Sequence, residues 1–186
     1  MLPERYCLVD VETTGFSPKT DRIVEIACAT IDGDRITGRW STLVRPGIPI
    51  PPRATEVHGI TDDMVARAPR LGWALRQVRR LCRGRIVATH NARFDLSFLG
   101  RRVCAEALCT LRLSRKLFPD APNHKNQTLR LYLRIDELAG EPLTAHRALA
   151  DAVVSAHILI ACRRRFRFRL PRDSWSDFIT ENAMVA

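Results

Sequence analysis

The sequence predicts an α/β domain built on a mixed sheet, its first strands antiparallel and the later ones parallel, flanked by helices. Three β-rich runs open the chain, at residues 6 to 12, 22 to 31 and 35 to 44. The two-residue Gly33-Asp34 connection between the second and third marks an antiparallel hairpin. Beyond residue 60, short strand-like runs alternate with apolar residues at helical spacing, the pattern of an α/β domain. The length of 186 residues suits one domain with its own core, read as residues 1–165, followed by a short basic and aromatic tail over 166–186.

After the hairpin, "RPGIPIPPRA" carries prolines at 46, 49, 51 and 52, which exclude a helix or a central strand. It leads to "HGITDDM", where Thr61 can cap a helix whose first turn holds Asp62 and Asp63. Leu71, Leu75, Val78, Leu81 and Cys82 then repeat at helical spacing, with arginines largely on the other face. "RIVATHN" reads as a strand, Phe94 to Val103 as a helix, and Leu108 to Leu111 as a short strand. Further helices are expected around 111 to 118, 128 to 134 and 146 to 163.

Lys+Arg 30 against Asp+Glu 20 leaves a net charge of +10, which favours polyanionic partners, because basic groups that meet phosphates release condensed counterions. Nearly all of that base is arginine, which also reads as plain compositional bias. The six cysteines are scattered without a CxxC pair, and the opening "MLPERY" lacks a secretory pattern. Buried thiols in a cytoplasmic protein follow, and no apolar stretch approaches membrane-spanning length.

Asp10 and Glu12 interrupt a strand otherwise fit for burial and share one of its faces with Leu8. Asp95, in "HNARFDLSFL", and Asp151, in "HRALADAVV", also sit among apolar residues near the start of an element. Alone, each has an ordinary reading: an edge strand's solvent face, or a helix N-terminal charge. Together in one cleft they would repel unless cations neutralised them, and Mg²⁺ or Mn²⁺ suits an all-carboxylate set. Two such ions could clamp an in-line phosphoryl displacement. His146, on the loop leading into the last helix, is placed to act as general base, and no Cys or second His stands at zinc spacing from it.

"DVETTG", "HGIT", "HNARFD" and "HRALADA", in this order, resemble the DEDDh 3′-to-5′ exonucleases, the DnaQ-like group that includes the proofreading epsilon subunit of bacterial DNA polymerase III. The resemblance runs from about Tyr6 to Cys162. It implies a ribonuclease H-like fold, metal ligands at Asp10, Glu12, Asp95 and Asp151, and His146 as general base, with Glu12 also serving the chemistry. Thr13, Thr14 and Gly15 would lie against the terminal nucleotide, and His58, Asn91 and Phe94 match residues that shape the pocket for the 3′ end. Position 147 is Arg, where the family's tyrosine branch has Tyr. His90 reads as structural, and His58 before Gly59 also reads as closing a turn.

The leading expectation is removal of nucleoside 5′-monophosphates from DNA 3′ ends, single strands preferred, in proofreading, repair or trimming. "LSRKLFP", from Leu113 to Pro119, resembles the corresponding epsilon segment and favours DNA. An RNA 3′ exonuclease similar to oligoribonuclease or ribonuclease T is the alternative, since contacts to the 2′-OH are not written in short motifs. A nuclease subunit docked on a polymerase or another nucleic-acid machine is a third reading. Residues 163 to 186 hold no glutamine, so a glutamine-led clamp motif is absent there. In "RRRFRFRLPR", Phe166, Phe168, Trp175 and Phe178 are expected to pack on the domain, with the arginines available to phosphates.

Overall fold

The computed structural model describes residues 3–101, 103–139, 143–169 and 172–181. Strands β1 (Arg5–Thr13), β2 (Ile23–Asp32) and β3 (Arg35–Leu43) form the antiparallel meander, with Gly33 at positive φ in the hairpin turn. Next come helices α1 (Pro52–His58), α2 (Asp62–Val65) and α3 (Leu71–Cys82), strand β4 (Ile86–Thr89), and α4 (Ala92–Leu99). Strand β5 (Glu106–Cys109) is followed by α5 (Thr110–Leu117), α6 (Asn126–Tyr132), α7 (Ile135–Ala139) and the long α8 (Ala148–Arg169). A 3-10 turn, Arg172–Phe178, leads into β6 (Ile179–Glu181). The sheet order is β3-β2-β1-β4-β5-β6, with β1, β4 and β5 parallel and β6 antiparallel to β5.

Helices cover both faces of the sheet, which is why β2 is buried along nearly its whole length. Tyr6, Leu8, Ala27 and Ile31 pack against Ala152, Val153, Ala156 and Leu159 of α8. Cys7, Val9, Val11 and Cys28 pack on the other face against Ala74 and Val78 of α3 and Leu96 of α4. All six cysteines are free thiols, five of them buried. No described helix is long and apolar enough to cross a membrane.

Several boundaries differ from expectation. The proline-rich segment does start a helix: Pro52 occupies the first turn of α1, where its missing N–H costs nothing. Helix α4 begins before Phe94 and stops at Gly100, whose φ of 72° ends it short of Val103. The expected boundary between residues 165 and 166 falls inside α8.

Phe166 and Trp175 are buried in the main core with rings 4.9 Å apart, and Phe178 packs on the same cluster, whereas the side chain of Phe168 lies outside the described part. Arg163 is not available to phosphates. It is fully buried over the Tyr6 ring, donating to the Gly33 carbonyl and to Asp34. Arg164 also bonds Asp34, at 3.1 Å, and Arg165 stacks over Phe118.

Candidate active site

Strand β1 lies between β2 and β4, so Asp10 and Glu12 are not on an exposed edge. Their face is the one that Tyr6 and Leu8 pack against α8, and Asp151 enters from the first turn of that helix. One carboxylate oxygen from each of Asp10, Glu12 and Asp151 falls within 4.8 Å of the others. Asp95, buried in the first turn of α4, stands outside this trio but close enough for its charge to act on Asp10.

The crowding shows in the protonation of the group. Burial holds the Asp10 carboxyl well above the ordinary carboxylate range, and the charges of Asp95, Asp151 and Glu12 add to the shift. Burial, with Asp151, Glu25 and Asp95 nearby, pushes Glu12 up to about 8. Asp95 rises to about 7, chiefly through burial. Asp151 rises to about 6 for the same reason, restrained by His146, by the Gln127 amide and by Arg130.

His146 sits on the turn just before α8, exposed, in the left-handed region with φ 56°. Its neighbour Arg147 donates Nε and Nη2 to the two carboxylate oxygens of Glu25 at 3.1 and 2.9 Å. Glu25 also accepts the backbone N–H of Ala148 at 3.0 Å, so one buried carboxylate ties the start of α8 to the sheet. Sequence reasoning missed this anchor, although Glu25 is an acid in an apolar strand just as Asp10 is.

It also missed the brace from α6. Gln127 donates to Asp151 Oδ1 at 2.6 Å, Asn126 to the Asp151 carbonyl at 3.2 Å, and Arg130 to Gln127 at 3.1 Å. Nothing in the polar run "HKNQTLR" marks those residues as functional.

The Thr13-Thr14-Gly15 turn closes on itself. Thr13 donates to the Gly15 carbonyl at 2.6 Å, and Thr14 donates to Asp21 at 3.2 Å while accepting the Arg22 N–H at 3.0 Å. A Cβ on Gly15 would meet the Asp21 carboxylate at 2.6 Å, so the glycine is required by this internal packing. His58 is buried. Its Nδ1 accepts the Ile60 N–H at 3.0 Å, which fits the turn-closing role. Burial lowers its pKa.

Asn91 is exposed and leads into α4 without capping it. Phe94 stacks on Phe98 at 5.1 Å and meets, edge to face, Phe16, a residue the motifs did not single out and which is 90% exposed. His90 is structural: its Nε2 donates to the His124 carbonyl at 2.8 Å, its Nδ1 pairs with the Thr110 hydroxyl, and burial lowers its pKa to about 4.

This donor set fits a divalent cation. It is made of oxygens, it converges, and its proton affinities are raised as expected where negative charge lacks a counter-charge.

The profile of the exonuclease family matches residues 8–159. A protein named DNA polymerase III PolC-type, from Caldanaerobacter subterraneus subsp. tengcongensis, is 36% identical over 166 residues, 86% of this chain but only 12% of its own length. The DNA polymerase III subunit epsilon of Aquifex aeolicus is 29% identical over 177 residues, 91% of this chain and 85% of that one. A solved structure, exonuclease X in complex with 5′ overhanging duplex DNA, aligns with TM-score 0.73 at 31% identity, covering 93% of this chain and 98% of that chain.

Proposed function

This chain belongs to the DEDDh 3′-to-5′ exonuclease family, as a hydrolytic nuclease with a ribonuclease H-like fold, and from that premise we propose that it trims DNA 3′ ends. Single strands are the preferred substrate, two Mg²⁺ or Mn²⁺ ions the cofactors, and nucleoside 5′-monophosphates the products. The observation that carries the reading is the convergence of Asp10, Glu12 and Asp151 with Asp95 beside them. DNA is favoured over RNA by the names of the relatives, a DNA polymerase III of PolC type and a DNA polymerase III epsilon subunit, and by the DNA bound in the exonuclease X structure. The same names support a polymerase as a protein partner, and free buried thiols accord with a cytoplasmic setting.

In the mechanism, Asp10, Glu12, Asp95 and Asp151 would hold the ions, which when bound supply an acidified water and a counter-charge for the phosphate. His146 takes the proton of the attacking water at an imidazole nitrogen, and its exposed position on the turn leaves it free to approach. Glu25 and Arg147 fix the backbone from which His146 projects. Gln127 fixes the rotamer of Asp151. On this reading Thr13, Thr14 and Gly15 would lie against the terminal nucleotide, and His58, Asn91 and Phe94 would shape the pocket for its 3′ end.

The test uses 5′-labelled DNA and RNA strands of one sequence, with Mg²⁺, with Mn²⁺ and with chelator, beside an Asp10→Ala control. A metal-dependent ladder shortening from the 3′ end, faster on DNA and lost in the control, is the expected result. Faster cleavage of RNA would move the substrate assignment, and products released from the 5′ end would overturn the reading.

A further inference from the structure

Away from the carboxylates, the last two turns of α3 and the first residues of β4 and β5 enclose an open groove of about 820 Å³. Its rim carries Arg76, Arg79, Arg80, Arg83 and Arg85, against Glu106 as the one acid among its described lining residues, with Glu181 of β6 paired to Glu106. Arg85 is committed to Asp32 at 2.8 Å. The other four are exposed and have no acidic partner among the described residues. They stand at i, i+3, i+4 and i+7, the last as the residue that caps α3, so their Cα atoms share one side of the helix over about 10 Å. Arginines near a helix C-terminus complement its dipole, which accounts for Arg79 and Arg80 in the last turn. It does not account for Arg76, nor for an excess of five arginines over one acid in the described lining.

We propose that this groove is a second nucleic-acid site, which grips the sugar-phosphate backbone of the strand whose 3′ end lies at the carboxylates. Unpaired guanidinium groups in a row match successive phosphates, and they need no base sequence to do so. The proposal rests on the nuclease reading for the identity of the strand.

The register of the sheet sets the distance. Tyr6 of β1 pairs with Ile86 at the groove, and the carboxylates follow on β1 as far as Glu12. Those six residues at about 3.3 Å each span about 20 Å, and because α3 packs on the sheet face opposite Asp10 and Glu12, a strand must also pass around the sheet to touch both sites. The shortest strands cannot cover that path. The groove therefore acts on long strands only, raising their affinity and keeping them bound between cuts.

The test is binding of a 4-nucleotide and a 30-nucleotide DNA strand in chelator, over a salt series, by the full chain and by a variant with Arg76, Arg79, Arg80 and Arg83 changed to Gln. These side chains are exposed, so the variant should stay folded, with thermal unfolding lowered only by the lost helix-dipole contacts of Arg79 and Arg80. The expected result is unchanged affinity for the short strand and at least tenfold weaker binding of the long one at low salt. The salt slope should fall by up to about 3, at about 0.7 per lost phosphate contact on a single strand. An unchanged slope and affinity on the long strand would overturn the proposal. So would loss of poly-glutamate binding alone, which would make the groove a seat for an acidic protein. Cleavage of the 4-nucleotide strand with Mn²⁺ reports the carboxylate site separately, so failure of either site is visible without the other.

Discussion

Glu12 and Glu25 stand directly opposite one another across the β1–β2 ladder, and only Glu25 has been given an arginine. Like charges in that position destabilise a sheet unless neutralised. Arg147 neutralises Glu25 through two hydrogen bonds, which leaves Glu12 with its proton affinity raised and its charge open to a cation. The pair thus separates a structural carboxylate from a functional one on adjacent strands, and it carries the residue after His146.

Arg147→Ala should therefore lower kcat by about 10²-fold, the scale on which a misplacement of about 1 Å is felt, with KM little changed. Arg147→Lys should recover only part of the loss, because an ammonium cannot make the two-point contact. Steady-state kinetics on a single-stranded 3′ end check this. Wild-type kcat in Arg147→Ala would show that the anchor serves folding alone.

His146→Gln should lower kcat by about 10² to 10⁴-fold, the range for a lost general base. Because His146 is exposed and outside the carboxylate trio, the variant should still be stabilised by Mn²⁺ in thermal unfolding. Asp10→Ala should lose both activity and that stabilisation. Equal loss of Mn²⁺ response in the two variants would place His146 among the ion's ligands instead.

Carboxylates whose folded pKa lies above the unfolded value make the chelated protein less stable as pH rises. Between about 4, where the unfolded groups titrate, and the folded values of about 6 for Asp151, 7 for Asp95 and 8 for Glu12, the folded chain holds protons that the unfolded chain has released. The melting temperature in chelator should fall across that window, and Mn²⁺ should remove the fall, so its effect is larger at pH 8 than at pH 5. A flat chelated profile would show that the repulsion is relieved by other means.

The order of the first three strands was legible because Gly33-Asp34 and the apolar runs are local signals. Strand β6 was not, since "ITE" becomes a strand only by pairing with β5, and α1 was hidden by prolines that read as breakers yet suit a first turn. In the site, the four acids stood out as charges in apolar runs. Glu25 carried the same mark, but its partner Arg147 lies 122 residues away, and the mark has no meaning until the pair is seen. Arg163 illustrates the reverse error: within a basic run it reads as surface, and its burial depends on Tyr6 and Asp34 far up the chain.

Gly15→Ala should cost stability by about 1 to 3 kcal/mol. The added Cβ meets a carboxylate at 2.6 Å that cannot move without giving up its bonds to the Thr14 hydroxyl and the Ser17 N–H. Asp21→Ala alone should cost a similar amount, and the double variant less than the sum of the two. Strict additivity in thermal unfolding would mean the two positions are not coupled.

Phe16 exposes 90% of its surface beside the Thr13–Gly15 turn, and among the described residues its ring contact is with Phe94. The fold gains little from a ring left in water, whereas an aromatic face next to that turn is what an unpaired base can stack upon, worth about 1 to 3 kcal/mol per base. Phe16→Ala should therefore leave the melting temperature unchanged and raise KM for a single-stranded end at least about fivefold, the factor that about 1 kcal/mol implies. Phe16→Trp should keep KM near the parent value, since the stacking surface is retained. An unchanged KM in Phe16→Ala would mean that the base does not stack on this ring and that the exposed ring serves another contact.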